Sequence, residues 1–303
     1  MKIGVISDIH SNYPAFRACT EYMEKEGCEE YLFLGDYVSD TPYTRETMDY
    51  LYAFTRKHPC RLLRGNREDY MIAQRRAIED QDTERMWVFN SASGNLLFTY
   101  RRLMGQDLDY FEGLPISFVY EKQGYPAITC CHGSPEDTRE LLQPDGAAVR
   151  HYLDTIGTDY LLCAHTHKPG RLEYGGRHYF NAGCVGIAIG DPGYAQCMIL
   201  HGVQRDGRAG WEPEFLKIPY DRDRVVTDIV ASGLLQSAPW FINSNILTLL
   251  TGRDVSSEMV SMAVELAAAD GSESRWPLLE EQYFAEAARR LEIPDYREAG
   301  LSG

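Results

Sequence analysis

Seven side chains with nitrogen or oxygen donor atoms stand just after short apolar runs in this sequence. They form five groups in this order: Asp8 with His10, Asp36, Asn66, His132, and His165 with His167. The apolar runs, at residues 2–7, 31–34, 61–63, 127–131 and 160–164, are predicted β-strands. Ligands of open α/β sheets collect at the carboxyl ends of strands, so we predict that the five groups meet at one edge of a sheet.

These donors are the types that bind metal ions. Imidazole, carboxylate and amide groups suit Mn, Fe, Zn or Co, and no CxxC pair lies nearby to favour a thiolate zinc site. Asp8 and His10 are two residues apart on an extended segment, so both side chains can enter a common site, and His165 and His167 repeat this spacing. Seven donors are too many for one ion. The sequence therefore predicts two transition-metal ions, divalent or trivalent, with Asp36 as the bridging carboxylate.

The five groups resemble the calcineurin-like metallophosphoesterase superfamily. The blocks of that family are D-x-H, G-D, G-N-[HC]-[DE], H and G-H-x-H, and this sequence reads SDIH, LGDYVSD, LRGNRED, CCHGS and CAHTH. The resemblance implies hydrolysis of phosphate esters by direct attack of a hydroxide that bridges two metal ions. It implies that Asp8, His10, Asp36 and His167 hold one ion, and that Asp36, Asn66, His132 and His165 hold the other.

Two departures from the family pattern concern the substrate. The histidine that usually follows Gly-Asn, and is expected to protonate the leaving group, is replaced by Arg67. Arginine stays protonated and cannot act as a general acid, but it can bind phosphate oxygens. Protein Ser/Thr phosphatases have an arginine in GDYVDRG, where this sequence has residues 39–41 as Ser-Asp-Thr. The closer resemblance is to bacterial phosphodiesterases and predicted phosphoesterases, with a phosphoprotein phosphatase as the alternative.

Several candidate residues have both a functional and a structural interpretation. We assign catalytic roles to Asp36 and Arg67, and substrate binding to Arg67 and Asn12. A surface position at a helix start would also explain Arg67, and turn geometry would also explain Asn12. Glu68 is interpreted as an acid favoured by the helix dipole, and Lys168 as a solvated loop residue. The remaining histidines are interpreted as structural: His58, His151, His178 and His201. Two cysteines, Cys131 and Cys184, are expected near the metals without a ligand role.

Composition narrows the classes of partner. The 303-residue chain has a formal net charge of −15, which disfavours extended nucleic acid because phosphate contacts require a basic face. A small phosphorylated substrate is expected, with nucleotides among the candidates. No signal peptide or membrane-spanning run is evident, and the eight cysteines have no framework spacing, so a cytoplasmic protein with reduced thiols is expected. A homo-oligomer is left open.

The order of the elements predicts the fold class. Helical patterns occupy residues 14–26, 44–57, 68–79 and 83–103, and a short helix and turn occupies 108–115. Later strands are predicted at residues 171–174, 177–180, 194–200 and 211–218. We predict an α/β (α+β) fold, a four-layer αββα sandwich of two mixed β-sheets flanked by helices. Residues 1–220 would form the catalytic domain, and residues 221–303 a helical C-terminal extension that acts as a cap or packing element.

A second function class is a protein-interaction scaffold on the same fold, as in the retromer-type subunit of this superfamily. Scaffolds of that kind have usually lost metal ligands, whereas this sequence has all seven. The enzyme is therefore favoured, and loss of the acid histidine is the one feature that favours the scaffold.

Overall fold

The computed structural model describes residues 1–205 and 207–299. These residues form two five-stranded mixed sheets. The strands are β1 (Lys2–Ile6), β2 (Glu30–Phe33), β3 (Cys60–Leu62), β4 (Ser117–Tyr120), β5 (Ile128–Cys131), β6 (Tyr160–Cys163), β7 (Pro169–Tyr174), β8 (Arg177–Ala182), β9 (Tyr194–Arg205) and β10 (Arg208–Pro219). The first sheet has the order β10-β9-β1-β2-β3, and the second has the order β4-β5-β6-β8-β7.

Twelve helices lie within the described residues. They are α1 (Tyr13–Lys25), α2 (Thr44–Lys57), α3 (Asn66–Glu79), α4 (Gly94–Tyr100), α5 (Gly105–Gly113), α6 (Ala147–Thr155), α7 (Arg222–Ala231), α8 (Leu234–Ser237), α9 (Pro239–Thr251), α10 (Val255–Ala269), α11 (Glu281–Arg290) and α12 (Tyr296–Ala299). None of them is long and apolar enough to cross a membrane.

Alternating side chains of the central strands divide the core into layers. In β2, Tyr31 and Phe33 pack toward α1 and α2, while Leu32 faces the second sheet. This alternation follows from the two-residue period of a strand. On the outer face of the second sheet, Leu161 packs against Val149 of α6. The layers are therefore helix, sheet, sheet and helix, which confirms the predicted four-layer αββα fold.

Parallel pairing brings the predicted donor groups to one edge. Strands β1, β2 and β3 run parallel in the first sheet, and β5, β6 and β8 run parallel in the second. The carboxyl ends of five of these strands lead into the five donor groups. Helices connect β1 to β2, β2 to β3 and β5 to β6, whereas the connection from β6 to β8 runs through the edge strand β7.

The C-terminal helices build a core that includes residues from the first 220. Ile242 of α9 and Phe284 of α11 lie in one buried cluster with Ala92, Phe98 and Ile187. Trp276 contacts both this cluster and the core of the first sheet. The C-terminal region thus packs directly on the rest of the molecule, and its division at residue 220 into a separate domain stays a prediction.

One predicted helix is wrong. Residues 83–103 do not form a continuous helix, because only Gly94–Tyr100 is helical as α4. Asn90 interrupts the pattern: its Oδ1 accepts hydrogen bonds from the backbone N–H groups of Ala92 at 3.1 Å and Ser93 at 2.8 Å. An asparagine that binds the backbone two and three residues later favours a turn over a helix. Trp87 is nonetheless buried, so the apolar residues that suggested a helical face include a core residue of a non-helical segment.

Candidate metal centre

Close backbone contacts hold the first three donor loops together. The N–H of Asp8 donates to the carbonyl of Gly35 at 3.1 Å, and the N–H of His10 donates to the carbonyl of Asp36 at 3.0 Å. Gly35 has a φ of +87°, and a Cβ at this position would lie 2.3 Å from the backbone nitrogen of Gly65. Only glycine fits this approach, which places Asp36 beside the loop that carries Asn66.

Five of the seven predicted ligands have a positive φ, which non-glycine residues rarely adopt. They are Asp8 (52°), His10 (48°), Asp36 (55°), His165 (69°) and His167 (56°). Such conformations are unfavourable and persist where the surrounding structure fixes them, most often at functional sites. The strain therefore marks this edge of the sheets as a site whose side-chain directions matter.

Three of the histidines present the same ring nitrogen to the site. The Nδ1 atoms of His132 and His167 face the backbone carbonyls of Leu34 at 2.7 Å and Ile187 at 3.2 Å. The Nδ1 of His10 lies 2.7 Å from Oδ2 of Asp40. A partner on Nδ1 fixes the tautomer and leaves Nε2 free as a ligand atom.

The donor atoms converge around Asp36. Its Oδ2 lies 3.4 Å from Nε2 of His132 and 3.9 Å from Nε2 of His10. Two groups, each with all donor atoms within 4.8 Å of one another, share this carboxylate: Asp8 with His10 and Asp36, and Asp36 with His132 and His165. Asp36 therefore lies between the two groups, and its role as a bridging ligand stays a prediction.

The other two predicted ligands complete these groups. Nε2 of His167 lies 3.0 Å from Nε2 of His10, and Oδ1 of Asn66 lies 3.0 Å from Nε2 of His132. His165 differs in orientation, since its Nε2 faces the carbonyl of Arg139 at 3.2 Å, which leaves Nδ1 as its ligand atom. The structure thus brings all seven predicted residues together.

The electrostatics of the cluster fit a bound cation. Oδ1 of Asp8 is buried and has no hydrogen-bond partner among the described residues, which is costly for a carboxylate unless a cation neutralises it. Burial raises the pKa of Asp8, but the opposing effects of His167 and His132 are larger in sum. The pKa therefore lies below its ordinary value, and the carboxyl stays ionised. Although burial opposes it, the charge of Asp36 raises the pKa of His132 to about 9. The carboxylates thus favour positive charge here, which metal ions would supply.

Asp40, which the sequence pattern did not single out, lies between two of the predicted site residues. This buried carboxylate contacts His10 on one side and, at 3.1 Å, Nη2 of Arg67 on the other. Burial alone would raise the pKa of Asp40, but the charges of Arg67 and His10 lower it to about 2. The available signal was its position in the same loop as Asp36. Asp40 therefore orients both a predicted ligand and the residue that replaces the family's histidine.

Glu68 has a larger role than the predicted helix-dipole acid. It is fully buried, and its carboxylate accepts hydrogen bonds at 2.8 Å from the backbone N–H groups of Asp36, Tyr37 and Gly65. Burial and the charge of Asp36 raise its pKa to about 7. Glu68 therefore ties the Asp36 loop to the start of α3.

Arg67 is an interior residue rather than a surface one. Its side chain is 13% exposed, and its Nε lies 3.8 Å from Oδ2 of Asp36. That Nε is buried and has no hydrogen-bond partner in the described part of the chain. An unpaired guanidinium donor beside the metal cluster is suited to a phosphate oxygen.

Asn12 fits its structural interpretation. It is fully buried at the start of α1, where its Oδ1 accepts from the N–H of Ala15 at 3.2 Å and its Nδ2 donates to the carbonyl of Gly186 at 2.8 Å. Both polar atoms are thus engaged inside the protein, and Asn12 is not among the described residues that line the neighbouring cavity. This geometry does not support a substrate contact.

Cys184 lies in the donor cluster, Cys131 lies in the outer core, and Lys168 lies at the rim of the cavity. Cys184 shares a cluster with His10 and His167, and its thiol donates to the carbonyl of Asp8 at 3.2 Å. Cys131 instead packs in the outer core, 3.3 Å from the sulfur of Cys163. Lys168 is half-exposed at the cavity rim, with its Nζ 3.7 Å from Oδ2 of Asp254.

A cavity of about 450 Å³ opens beside the cluster. Asp36, Asn66 and Arg67 line one part of it, and residues of α9 and α10 with Trp276 line another. The volume is in the range of small-molecule sites. The C-terminal helices therefore form part of the wall around the predicted metal centre.

Comparison with known proteins gives the family and the fold. The model of the calcineurin-like phosphoesterase family matches residues 1–169. The hypothetical protein PH1004 from Pyrococcus horikoshii OT3 shares the fold, with 20% identity, a TM-score of 0.64, and 83% of this chain and 98% of that chain covered. A metallophosphoesterase from Sphaerobacter thermophilus shares it with 19% identity, a TM-score of 0.59, and 78% and 97% covered. On the family match over more than half of its length, the chain belongs to the calcineurin-like phosphoesterases.

Proposed function

We propose that this protein is a hydrolase of small phosphate esters that uses two metal ions held by the seven donor residues. The observation that supports this most directly is the pair of donor groups that share Asp36, next to the buried Oδ1 of Asp8, which has no hydrogen-bond partner among the described residues. Asp8, His10, Asp36 and His167 would hold one ion, and Asp36, Asn66, His132 and His165 the other. Mixed imidazole and oxygen donors suit Mn, Fe, Zn or Co.

When bound, such ions stabilise negative charge on phosphoryl oxygens and lower the pKa of water, so that hydroxide is available near neutral pH as the nucleophile. The protein's own residues set the geometry. Asp36 is the only predicted ligand common to both donor groups, and Glu68 fixes its backbone through hydrogen bonds at 2.8 Å. Asp40 fixes the ring of His10.

Arg67 would bind and orient the phosphate. Asp40, 3.1 Å from its Nη2, holds the guanidinium at the cavity wall, and its Nε has no hydrogen-bond partner among the described residues. Burial disfavours its charge, but Asp40 and Asp36 raise the pKa of Arg67 above its ordinary value. It therefore stabilises charge in the transition state without donating a proton to the leaving group.

The enclosing cavity favours a small substrate over a phosphoprotein. Helices α9 and α10 contribute to its wall, which restricts the space for a protein chain near the metal cluster. The net charge of −15 further disfavours extended nucleic acid. A low-molecular-weight phosphodiester, nucleotide or activated monoester is the proposed substrate class.

Asp36→Asn tests this proposal. Turnover of p-nitrophenyl phosphate and bis-p-nitrophenyl phosphate should require added Mn, Fe, Zn or Co and should be abolished in Asp36→Asn, because both metal positions weaken together. Asp49→Asn, an exposed substitution on α2, is the matched control and should retain activity. A metal-loaded wild-type protein that hydrolyses neither ester would contradict the proposal and favour the scaffold alternative.

A further inference from the structure

The C-terminal wall of the cavity combines aromatic and hydrogen-bonding side chains. It includes Phe241 and Asn245 of α9, Ser256 and Val260 of α10, and Trp276. This wall lies outside the segment that matches the family model, which ends at residue 169. It is therefore a feature of this chain's C-terminal helices, and it shares one cavity with Arg67 and the predicted ligands.

Asn245 has an unused hydrogen-bonding group in this wall. The residue is 1% exposed, and its Oδ1 accepts a hydrogen bond from the hydroxyl of Ser256 at 2.5 Å. Its Nδ2 is buried and has no partner among residues 1–205 and 207–299. Whichever way the amide is turned, one of its two polar atoms remains unpaired. A buried polar group of this kind is costly to the fold unless a ligand satisfies it.

A neighbouring asparagine shows that this is specific to position 245. Asn243, two residues earlier on α9, is also buried, but both of its polar atoms form hydrogen bonds. Its Oδ1 accepts from the N–H of Tyr296 at 3.1 Å, and its Nδ2 donates to Asp295 at 3.3 Å. The unpaired group thus occurs at the asparagine that lines the cavity.

Two aromatic residues line the same cavity as this amide. The rings of Trp276 and Phe241 are 5.2 Å apart between centroids and inclined by 31°. Phe241 is buried, whereas Trp276 is only partly buried and lines the cavity. A partly exposed indole offers a stacking surface to a planar ring.

We propose that the C-terminal helices form a subsite for a nucleobase, and that the substrate of the metal centre is a nucleoside phosphate. Trp276 would stack on the base, Asn245 would hydrogen-bond to its polar edge, and Arg67 would bind the phosphate. A plain aryl ring would leave the Asn245 amide unpaired, whereas every nucleobase has donors and acceptors at its edge. The proposal rests on the proposed hydrolase function, which it makes more specific.

The kinetic test compares a nucleoside phosphate with acetyl phosphate, an activated phosphate that has no ring. We expect Asn245→Ala and Trp276→Leu each to lower kcat/KM for the best nucleoside phosphate about tenfold, mainly through KM, which corresponds to about 1.4 kcal/mol. Acetyl phosphate should be hydrolysed at the same rate by both variants. The control is Trp240→Leu, a tryptophan of α9 that does not line the cavity among the described residues.

A binding test does not depend on turnover. Free nucleosides should quench the tryptophan fluorescence of the wild-type protein, which has four tryptophans. The quench should be lost in Trp276→Phe and retained in Trp240→Phe. If Trp276→Leu fails to fold, Asn245→Ala carries the kinetic comparison and Trp276→Phe the fluorescence comparison.

The outcomes separate the two proposals. Hydrolysis of both substrates with no selective loss in the variants, or equal losses for both substrates, would overturn the nucleobase subsite and leave the hydrolase proposal standing. Absence of all hydrolysis in the metal-loaded protein would overturn the hydrolase proposal. In that case, nucleoside quenching that depends on Trp276 would still support the subsite, and its absence would refute it.

Discussion

Arg67 occupies the position after Gly-Asn where related enzymes have a histidine, and Asp40 fixes it at 3.1 Å. General acid assistance to a leaving group is typically worth roughly 10²–10⁴-fold in rate. Because arginine has no transferable proton at neutral pH, we expect a steep dependence of rate on the pKa of the leaving group. Aryl esters, anhydrides and activated diesters should react well, and alkyl phosphomonoesters such as phosphoserine poorly.

Replacing Arg67 by histidine is the complementary test. Arg67→His should flatten the dependence on leaving-group pKa if the position faces the leaving group. Arg76→His, an exposed substitution on the same helix α3, should leave the dependence unchanged. Equal wild-type rates for p-nitrophenyl phosphate and a simple alkyl phosphate, with chemistry rate-limiting, would contradict this role and indicate an acid elsewhere in the cavity.

At the residue scale, the sequence predicts donors better than it predicts their supports. Asp8, His10 and Asp36 follow apolar strands directly, so local pattern is enough to place them at one edge. The interpretation of Asp40 and Asn245 depends on residues distant in the sequence. Asp40 contacts Arg67, and Asn245 lines the cavity that Arg67 also lines. Local spacing carries no information about such contacts. Arg67 was visible in the sequence, but its burial was not.

At the scale of elements, the close approach of two turns holds the donor loops. Gly35→Ala should destabilise the metal-free protein by about 3 kcal/mol or more, since a left-handed residue costs roughly 1–2 kcal/mol and the overlap with Gly65 adds to it. Gly27→Ala is the matched control, because Gly27 has a φ of +79° and no described atom within 4 Å of its added Cβ. It should lose only about 1–2 kcal/mol.

Denaturant unfolding of both variants measures the difference. A larger loss of unfolding free energy in Gly35→Ala would show that the close approach of the two turns adds a steric cost to the cost of the positive φ. Equal losses in the two variants would contradict the close-approach explanation.

The element predictions were accurate where periodicity was long and uninterrupted. The five strands before the donor groups, and helices α1, α2 and α3, lie within a few residues of their predicted bounds. The prediction of one helix over residues 83–103 was wrong, since the helix begins only at Gly94 and the side chain of Asn90 binds the backbone N–H groups of Ala92 and Ser93. Apolar spacing alone does not reveal such side-chain competition.

At the scale of the whole molecule, two sheets bring five strand ends to one edge, and the C-terminal helices form part of the wall around it. Alternation of strands and helices was enough to predict the four layers. A cap or packing role was predicted for residues 221–303, but the side chains that line the cavity were not, because the helical pattern gives no direction of packing. If the proposed nucleobase subsite is correct, substrate selection depends on a part of the fold that lies beyond the family match over residues 1–169.

The number of bound ions tests the central claim most directly. Elemental analysis of the metal-replete protein, with crystallography at the absorption edge of the bound metal, should find two ions per chain about 3.5 Å apart, with Asp36 between them. In Asp36→Asn both ions should be weakened, whereas Asp49→Asn should retain two. A single ion at metal saturation, with Asn66, His132 and His165 pointing away from one another, would contradict the account.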